Sequence, residues 1–195
     1  GVAGIEWIRL MYAYPHTVDA ALTTVMREQP KLVPYLDIPI QHISGSMLRA
    51  MKRGVSKQQV RGILDRLREE VPGIAVRTTV ITGFPGETEA DFAELEDLVS
   101  SYRFERLGVF AYSQEEGTPS HDLPDQVPAE VAEARRERLM RLQKGVMDEF
   151  QRSFVGRRAR IHYRFAQLHL VHREFRGHRR VAFDLRIVTE QTEQI

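Results

Sequence analysis

The sequence predicts an α/β protein built around a parallel sheet. Strand-like apolar runs alternate with amphipathic helical patterns from Trp7 to Phe150, and this alternation is typical of βαβ units with right-handed crossovers. β-branched residues dominate the segment 75–83, as they do in buried strands. Glycine or proline ends most of these segments. Four predicted strands are too few to close an eight-stranded barrel, so the pattern fits part of a barrel or an open sheet.

The first predicted strand and helix lie within residues 7–30. The run 7–14 is rich in aromatic and aliphatic residues, and Pro15 ends it. The helix after it ends at Pro30. Its predicted buried face consists of Val18, Leu22 and Val25.

The second apolar run, 33–42, is interrupted by Pro34 and Pro39. Because proline cannot donate a hydrogen bond to a neighbouring strand, these residues argue against a regular central strand. A short helix over 46–53 follows, and Gly54 is placed to cap its end.

Ser56 and Gln59 match a capping box, which predicts the start of a longer helix that ends at Pro72 and Gly73. Its predicted buried face consists of Val60, Ile63, Leu64, Leu67 and Val71. The third predicted strand, 75–83, comes next.

That strand runs into the sequence GFPGET, after which Thr88 and Asp91 match a second capping box. The helix that they open has apolar residues at helical spacing. These are Phe92, Leu95, Leu98, Val99 and Tyr102.

The fourth predicted strand is 107–113. The segment 114–128 carries three prolines and one glycine and is predicted to be irregular. Pro128 suits the first position of a long helix that reaches Phe150, whose arginines are expected to face solvent. Its apolar stripe consists of Leu139, Leu142, Val146 and Phe150.

Polar residues follow the carboxyl ends of the predicted strands, where ligands bind in parallel α/β proteins. The segments at this rim are 14–16, 41–42, 83–87 and 112–113. Gly83 and Gly86 allow positive φ angles and a close approach of a ligand to the backbone. The acidic first turn that follows disfavours a phosphate, so a ligand with amine, hydroxyl or purine groups is expected. A glycine-bracketed turn is also common without any ligand, so the turn alone does not establish a site.

Composition narrows the possible functions. The 195 residues are 42% hydrophobic and 28% charged, which suits a globular protein with one main domain and a small second one. The net charge of +1 gives no general attraction to nucleic acid. The lack of a long apolar run or signal peptide predicts a cytoplasmic protein with no membrane contact. The sequence has no cysteine, which excludes disulfides and thiolate metal sites in this chain, and no metal ligand is predicted.

Four stretches resemble the RimO family of radical S-adenosylmethionine (radical SAM) methylthiotransferases. They are YLDIPIQHIS, MLRAMKRG, VRTTVITGFPGETEADF and FERLGVFAYSQEEGTPSHDLPDQVP. The resemblance implies that residues 1–153 form the C-terminal half of a radical SAM partial (β/α) barrel, similar to part of a TIM barrel. The related MiaB family, which modifies a tRNA adenosine, shares GFPGET, but DIPIQH and LGVFAYSQEEGTP resemble RimO more closely.

The resemblance also implies an activity and a set of contact residues. RimO enzymes add a methylthio group to the β-carbon of an aspartate in protein twelve of the small ribosomal subunit, with S-adenosylmethionine as cofactor. The residues implied to lie against that cofactor are Gln41, His42, Arg77, Thr79, Gly83, Phe84, Gly86, Glu87, Tyr112 and Ser113. Those from Gly83 to Glu87 would lie at its adenine side.

Several of these residues also have a purely structural interpretation. His42 would serve as a hydrogen-bonded residue of the rim, and Glu87 as a cap of the following helix. The basic cluster of Arg49, Lys52 and Arg53 would suit an acidic ligand group, although a solvated helix face is the commoner explanation.

The family further implies two 4Fe-4S clusters, which thiolates hold. Because the chain has no cysteine, we expect cysteine-bearing sequence before Gly1 in a longer protein. The chain alone would then be inactive, and no catalytic residue is assigned in it. A degenerate relative that has lost the chemistry is the alternative. An electron-donor protein is a further implied partner.

The segment 154–195 is expected to form a small β domain of the TRAM type, because its opening resembles the first strand of that domain. After Phe165 the sequence departs from the family, which indicates a divergent or incomplete barrel or an out-of-frame translation. Eight arginines lie within residues 157–180, a segment that would suit RNA phosphates. Two other functions therefore stay open: a MiaB-like tRNA methylthiotransferase, and a cluster-less scaffold or RNA-binding module.

Overall fold

A computed structural model describes residues 4–155, which form four strands, five α-helices and one short 3-10 helix (Pro15–Thr17). The strands are β1 (Ile8–Leu10), β2 (Leu32–Asp37), β3 (Ala75–Thr82) and β4 (Arg106–Ala111). The helices are α1 (Ala20–Glu28), α2 (Gly45–Ala50), α3 (Lys57–Glu70), α4 (Glu89–Tyr102) and α5 (Ala129–Arg152). The chain divides into two compact units, Gly1–Asp148 and Glu149–Ile195. The predicted domain 154–195 lies almost entirely outside the described residues and stays a prediction.

The four strands form one parallel sheet in the order β1-β2-β3-β4. This confirms the predicted fold class. Each strand connects to its neighbour through at least one helix, so all four carboxyl ends lie along the same edge of the sheet. The register places Asp37 opposite Arg77 and Arg77 opposite Arg106.

Helices cover one face of the sheet. Alternate residues of β3 are buried beneath them, beginning with Val76, and the residues between are half-buried. Leu64 of α3, Phe92 of α4 and Leu139 of α5 have almost no exposed surface and meet in one hydrophobic core. Burying each such side chain stabilises the fold by about 1.5–3 kcal/mol. No element among residues 4–155 buries the opposite face to the same degree, and Phe110 of β4 stays 60% exposed there.

Both predicted capping boxes are present. The Ser56 hydroxyl accepts from the Gln59 amide at the start of α3, and the Thr88 hydroxyl accepts from the Asp91 amide at the start of α4. In each case the second side chain accepts from the first backbone amide in return. These starts depend on residues only three positions apart, which is why the local pattern identifies them.

The prediction that the prolines argue against a regular central strand is only partly right: the run forms the central strand β2, but its pairing with β1 is irregular. Pro34 lies inside β2, which pairs with both of its neighbours. Its missing amide is tolerated because pairing with β3 begins only at Tyr35 and pairing with β1 is irregular at this point. Pro39 lies beyond the end of the strand.

The first strand and helix also differ from their predicted forms. The first strand spans three residues instead of the predicted 7–14 and lies at the edge of the sheet. In α1, Val25 is 45% exposed, whereas Thr23 and Met26 are buried. The predicted stripe is therefore only partly right, because Val18 is buried and Leu22 packs against the core. The Thr23 hydroxyl donates to Glu70 at 2.5 Å, so this polar side chain is satisfied inside.

Two further boundaries and the face of α5 need correction. The α2 helix ends at Ala50, and β4 ends at Ala111. Phe150 of the predicted apolar stripe is 37% exposed, while Arg135 is buried, contrary to the expectation that the arginines face solvent. This arginine faces two carboxylates, those of Glu87 in the loop after β3 and of Glu89 at the start of α4.

Candidate functional site

The rim at the carboxyl ends of the strands contains a bulge at Gln41. Pairing runs from Asp37 opposite Arg77 to Gln41 opposite Val80, so the β2 side advances four residues where β3 advances three. Gln41 takes up the extra residue with a left-handed φ of 68°. Non-glycine residues rarely adopt this conformation, and such bulges are common beside binding sites.

The loop after β3 is shaped by close packing on α5. Gly83 has φ of +75°, and a Cβ atom there would lie 2.1 Å from the Cβ of Ala132. The Thr82 hydroxyl donates to the Ala132 carbonyl at 2.9 Å, which holds the two segments together. The close contact with α5 therefore explains why position 83 is a glycine, and no ligand is needed to explain it. At Gly86, with φ of +80°, only the Met47 side chain comes within 4 Å of such an atom.

Three amides of this loop are already engaged within the protein. The Gly83 amide donates to Oε2 of Glu87 at 2.5 Å, and the Gly86 amide donates to the Asp125 carbonyl at 2.9 Å. The Glu87 amide donates to the Phe84 carbonyl at 2.9 Å. Phosphate-binding loops need such amides to point at the ligand. These three amides are therefore not free to bind a phosphate.

Phe84 and Tyr112 meet at the rim. Their rings contact each other edge to face, with centroids 5.2 Å apart and an angle of 71° between the planes. The Tyr112 hydroxyl and Oε1 of Gln41 are buried, and neither has a hydrogen-bond partner among the described residues. Buried polar atoms without partners are rare in folded proteins, so each of these atoms marks a place where a ligand or water would complete the hydrogen bonding.

A buried charge network lies beneath the loop. Nη1 of Arg135 donates to Oε2 of Glu87 at 2.7 Å, and Nε2 of His42 lies 3.0 Å from Oε1 of Glu87. Nδ1 of His42 accepts from the Ser44 amide at 3.0 Å, so Nε2 carries the proton and donates to Glu87. The side chains of His42 and Glu87 have no exposed surface. They support the loop from inside and do not offer their own polar atoms to a ligand.

The network continues through Ser44 to Asp91. The hydroxyls of Ser44, Ser46 and Thr88 all donate to the Asp91 carboxylate. Burial alone would raise the pKa of Asp91, but these three hydrogen bonds and a fourth from the Thr88 amide outweigh it and hold that pKa well below its ordinary value of 3.8.

We expect Asp91 to make folding sensitive to acid. Because its pKa is lowered in the folded state, its contribution to stability is complete above the ordinary pKa of 3.8 and is lost as the pH falls below it. Asp91→Asn should lower the free energy of unfolding by about 1 kcal/mol at neutral pH and make its decline in acid shallower. Urea unfolding at several pH values would check this. Equal acid dependence of the two proteins would contradict it.

Three other candidates lie on or near the open face of the sheet. Arg77 is half-exposed, and its Nη1 lies 3.7 Å from Oδ2 of the buried Asp37. Thr79 lies opposite Gly108 in the register, and Ser113 is exposed just beyond β4. The structure therefore brings Gln41, Phe84 and Tyr112 to the rim and leaves Arg77 further along the sheet.

The basic cluster is not a uniformly solvated helix face. Arg53 stacks on the Tyr14 ring, 4.5 Å from its centroid, and donates to the Pro39 carbonyl at 2.9 Å. Arg49 and Lys52 are exposed. The expectation therefore holds for these two and is wrong for Arg53, which ties the end of α2 to the rim.

Sequence reasoning missed Arg135 and Ala132 as parts of the site. Both lie on α5, more than forty residues from the loop that they contact. Within residues 4–155, no three His, Asp or Glu side chains group in a way that could hold a metal ion. In the same part of the chain, no helix has the length and apolar character needed to cross a membrane.

Comparison with known protein families gives one family and many close relatives. The model of the radical SAM superfamily matches residues 3–99. The ribosomal protein uS12 methylthiotransferase RimO of Anaeromyxobacter sp. strain Fw109-5 is 53% identical over 160 residues, which are 82% of this chain and 34% of the relative. RimO of Myxococcus xanthus is 48% identical over 157 residues, which are 80% of this chain and 33% of the relative. The chain thus spans about a third of the length of these relatives.

A solved structure supports the fold. The radical SAM enzyme coproporphyrinogen III oxidase (HemN) from Escherichia coli matches with a TM-score of 0.52 and 16% identity, over 75% of this chain and 33% of that enzyme. At this identity the similarity concerns the fold alone. It agrees with a parallel sheet that forms part of a (β/α) barrel.

Proposed function

Because this chain belongs to the radical SAM superfamily, among the RimO-type methylthiotransferases, we propose that it forms one wall of the S-adenosylmethionine site of such an enzyme. The reaction would add a methylthio group to the β-carbon of an aspartate in ribosomal protein uS12. The names of the relatives include this substrate, and the relatives match most of the described part of the chain.

The observation that carries the proposal is the pair of buried, unpartnered oxygens of Gln41 and Tyr112 at the rim. The Gln41 oxygen would accept from an amine or hydroxyl of the cofactor, and the Tyr112 hydroxyl can donate or accept. Phe84 would offer its ring to the adenine side. The occupied amides of Gly83 and Gly86 fit a nucleoside without phosphates.

The other candidates take different roles in this proposal. Arg77, Thr79 and Ser113 would face the cofactor or substrate from the open side of the sheet. Glu87 and His42 would act indirectly, because their side chains are buried in the network below the loop.

The chemistry comes from the cofactor and from metal centres that this chain cannot hold. Reductive cleavage of S-adenosylmethionine supplies a radical that removes hydrogen from an unactivated carbon. The chain has no cysteine, so its residues do not fit a 4Fe-4S cluster, and we assign both clusters to sequence outside it. The described residues would bind and orient the cofactor.

The proposal includes partners beyond uS12. Cluster reduction requires an electron-donor protein, and modification of a ribosomal protein places the enzyme in the cytoplasm. The arginine-rich segment 157–180 lies outside the described residues. Its positive charge is the only support for proposing that it binds RNA.

A chimera tests the function. Residues 4–155 would replace the matching segment of the Myxococcus xanthus relative, and the chimera would be produced in bacteria that lack their own RimO. Mass spectrometry should detect a methylthio group on the uS12 aspartate. Modification of tRNA alone would favour the MiaB-like alternative, and a folded, cluster-loaded chimera that modifies neither would contradict the proposal.

The same chimera tests the role of Tyr112. Tyr112→Phe should raise the KM for S-adenosylmethionine about three- to tenfold, because one hydrogen bond of about 0.5–1.5 kcal/mol is lost. Tyr102→Phe is the matched control, since the Tyr102 hydroxyl donates to the Leu64 carbonyl in the helical layer. The control should lower stability and leave the KM unchanged.

A further inference from the structure

Arg135 connects α5 to the loop that carries Phe84. Its Nη1 donates to both Oε2 and the backbone carbonyl of Glu87, at 2.7 and 3.1 Å. Its Nη2 donates to Glu89 at 3.2 Å, in the first turn of α4. The guanidinium therefore fixes the point where the loop ends and the next helix begins.

The contact with Arg135 also sets the orientation of the Glu87 carboxylate. Oε2 accepts from Arg135 and from the Gly83 amide, and Oε1 accepts from His42. The first residue of the loop is thus hydrogen-bonded to a side chain at the end of the loop. If the carboxylate turned, the Gly83 amide would lose its acceptor, and the backbone that leads into Phe84 would be free to move.

We infer that Arg135 is a positioning residue for the cofactor wall, acting through Glu87 to hold Gly83 and Phe84 in the conformation that receives the adenine side of the ligand. The inference rests on the proposed function. Arg135 and the Gly83 amide share Oε2 of Glu87, so Arg135 acts on the ligand only through the loop.

The competing interpretation is that Arg135 only stabilises the fold. Removing one partner of a buried ion pair destabilises a protein whether or not a ligand site depends on it. A stability measurement alone cannot distinguish the two interpretations. The Gly83 amide can, because its proton reports whether Glu87 still accepts from it.

The experiment uses the full 195-residue chain and S-adenosylhomocysteine as the probe. Calorimetry would give the dissociation constant, and nuclear magnetic resonance would give the chemical shift and exchange rate of the Gly83 amide proton. The variants are Arg135→Met and Arg135→Lys. The matched control is Arg136→Met, because Arg136 is the next residue of α5 and pairs with Glu133 on the same helix.

Arg135→Met should weaken binding by at least about tenfold and speed exchange of the Gly83 amide, and Arg135→Lys should recover part of both. Arg136→Met should change neither. If Arg135→Met does not fold, the double variant Glu87→Gln/Arg135→Met removes both buried charges and should fold, with binding still weakened.

Unchanged affinity and an unchanged Gly83 amide in a folded Arg135 variant would overturn the inference. If the unsubstituted chain does not bind S-adenosylhomocysteine, the result counts against the proposed function instead. The Gly83 amide would then still decide whether Arg135 positions the loop.

Discussion

Glu87→Ala is expected to lower the free energy of unfolding by about 3–5 kcal/mol, because it leaves the guanidinium of Arg135 buried without its main partner. The Arg135 side chain is only 8% exposed, so water cannot replace the lost carboxylate. The change also removes the acceptors for His42 and the Gly83 amide. Urea unfolding near neutral pH would measure the effect.

Glu89→Ala is the matched control for this prediction. Glu89 also contacts Arg135, but its side chain is 68% exposed. Losing such a surface ion pair should cost about 0–1 kcal/mol. Similar losses for the two variants would show that burial does not determine the strength of this network.

Gly83→Ala should destabilise the fold by about 2–4 kcal/mol, the combined cost of a left-handed alanine and of overpacking against Ala132. The new methyl group would lie 2.1 Å from the Cβ of Ala132, on a helix backbone that cannot move alone. Thermal or urea unfolding would give the value.

Gly117→Ala separates the two causes, because Gly117 has a similar φ of +78° and open space around it. It should cost only the conformational part, about 1–2 kcal/mol. Ala132→Gly in the Gly83→Ala background should restore part of the stability. An equal loss at Gly83 and Gly117 would disprove the packing argument.

Local signals in the sequence predict the helices and the parallel sheet well. The capping boxes at Ser56 and Thr88 need only neighbouring residues, and the buried faces of α3 and α4 follow from helical spacing. The segments for which the sequence-based prediction is wrong are those whose structure depends on contacts with residues distant in the chain. Pro34 is compatible with β2 only because of where pairing with its neighbours begins.

The site is less predictable for the same reason. The family motif identifies Phe84, Gln41 and Tyr112, which the structure places at one rim. Arg135 lies in an arginine-rich helix, where sequence patterns predict solvent exposure, and only the fold brings it to Glu87. The sequence cannot show that Gly83 packs against Ala132, because the two residues are far apart in the chain. From sequence alone, a close approach of a ligand is therefore the explanation that this glycine favours.

The open face of the sheet has a practical consequence for anyone who purifies this chain. Phe110 is 60% exposed on this face. Exposed apolar side chains bind hydrophobic dyes and promote self-association as protein concentration rises. Samples for calorimetry and nuclear magnetic resonance should therefore be checked for aggregation by light scattering before any loss of binding is attributed to a substitution.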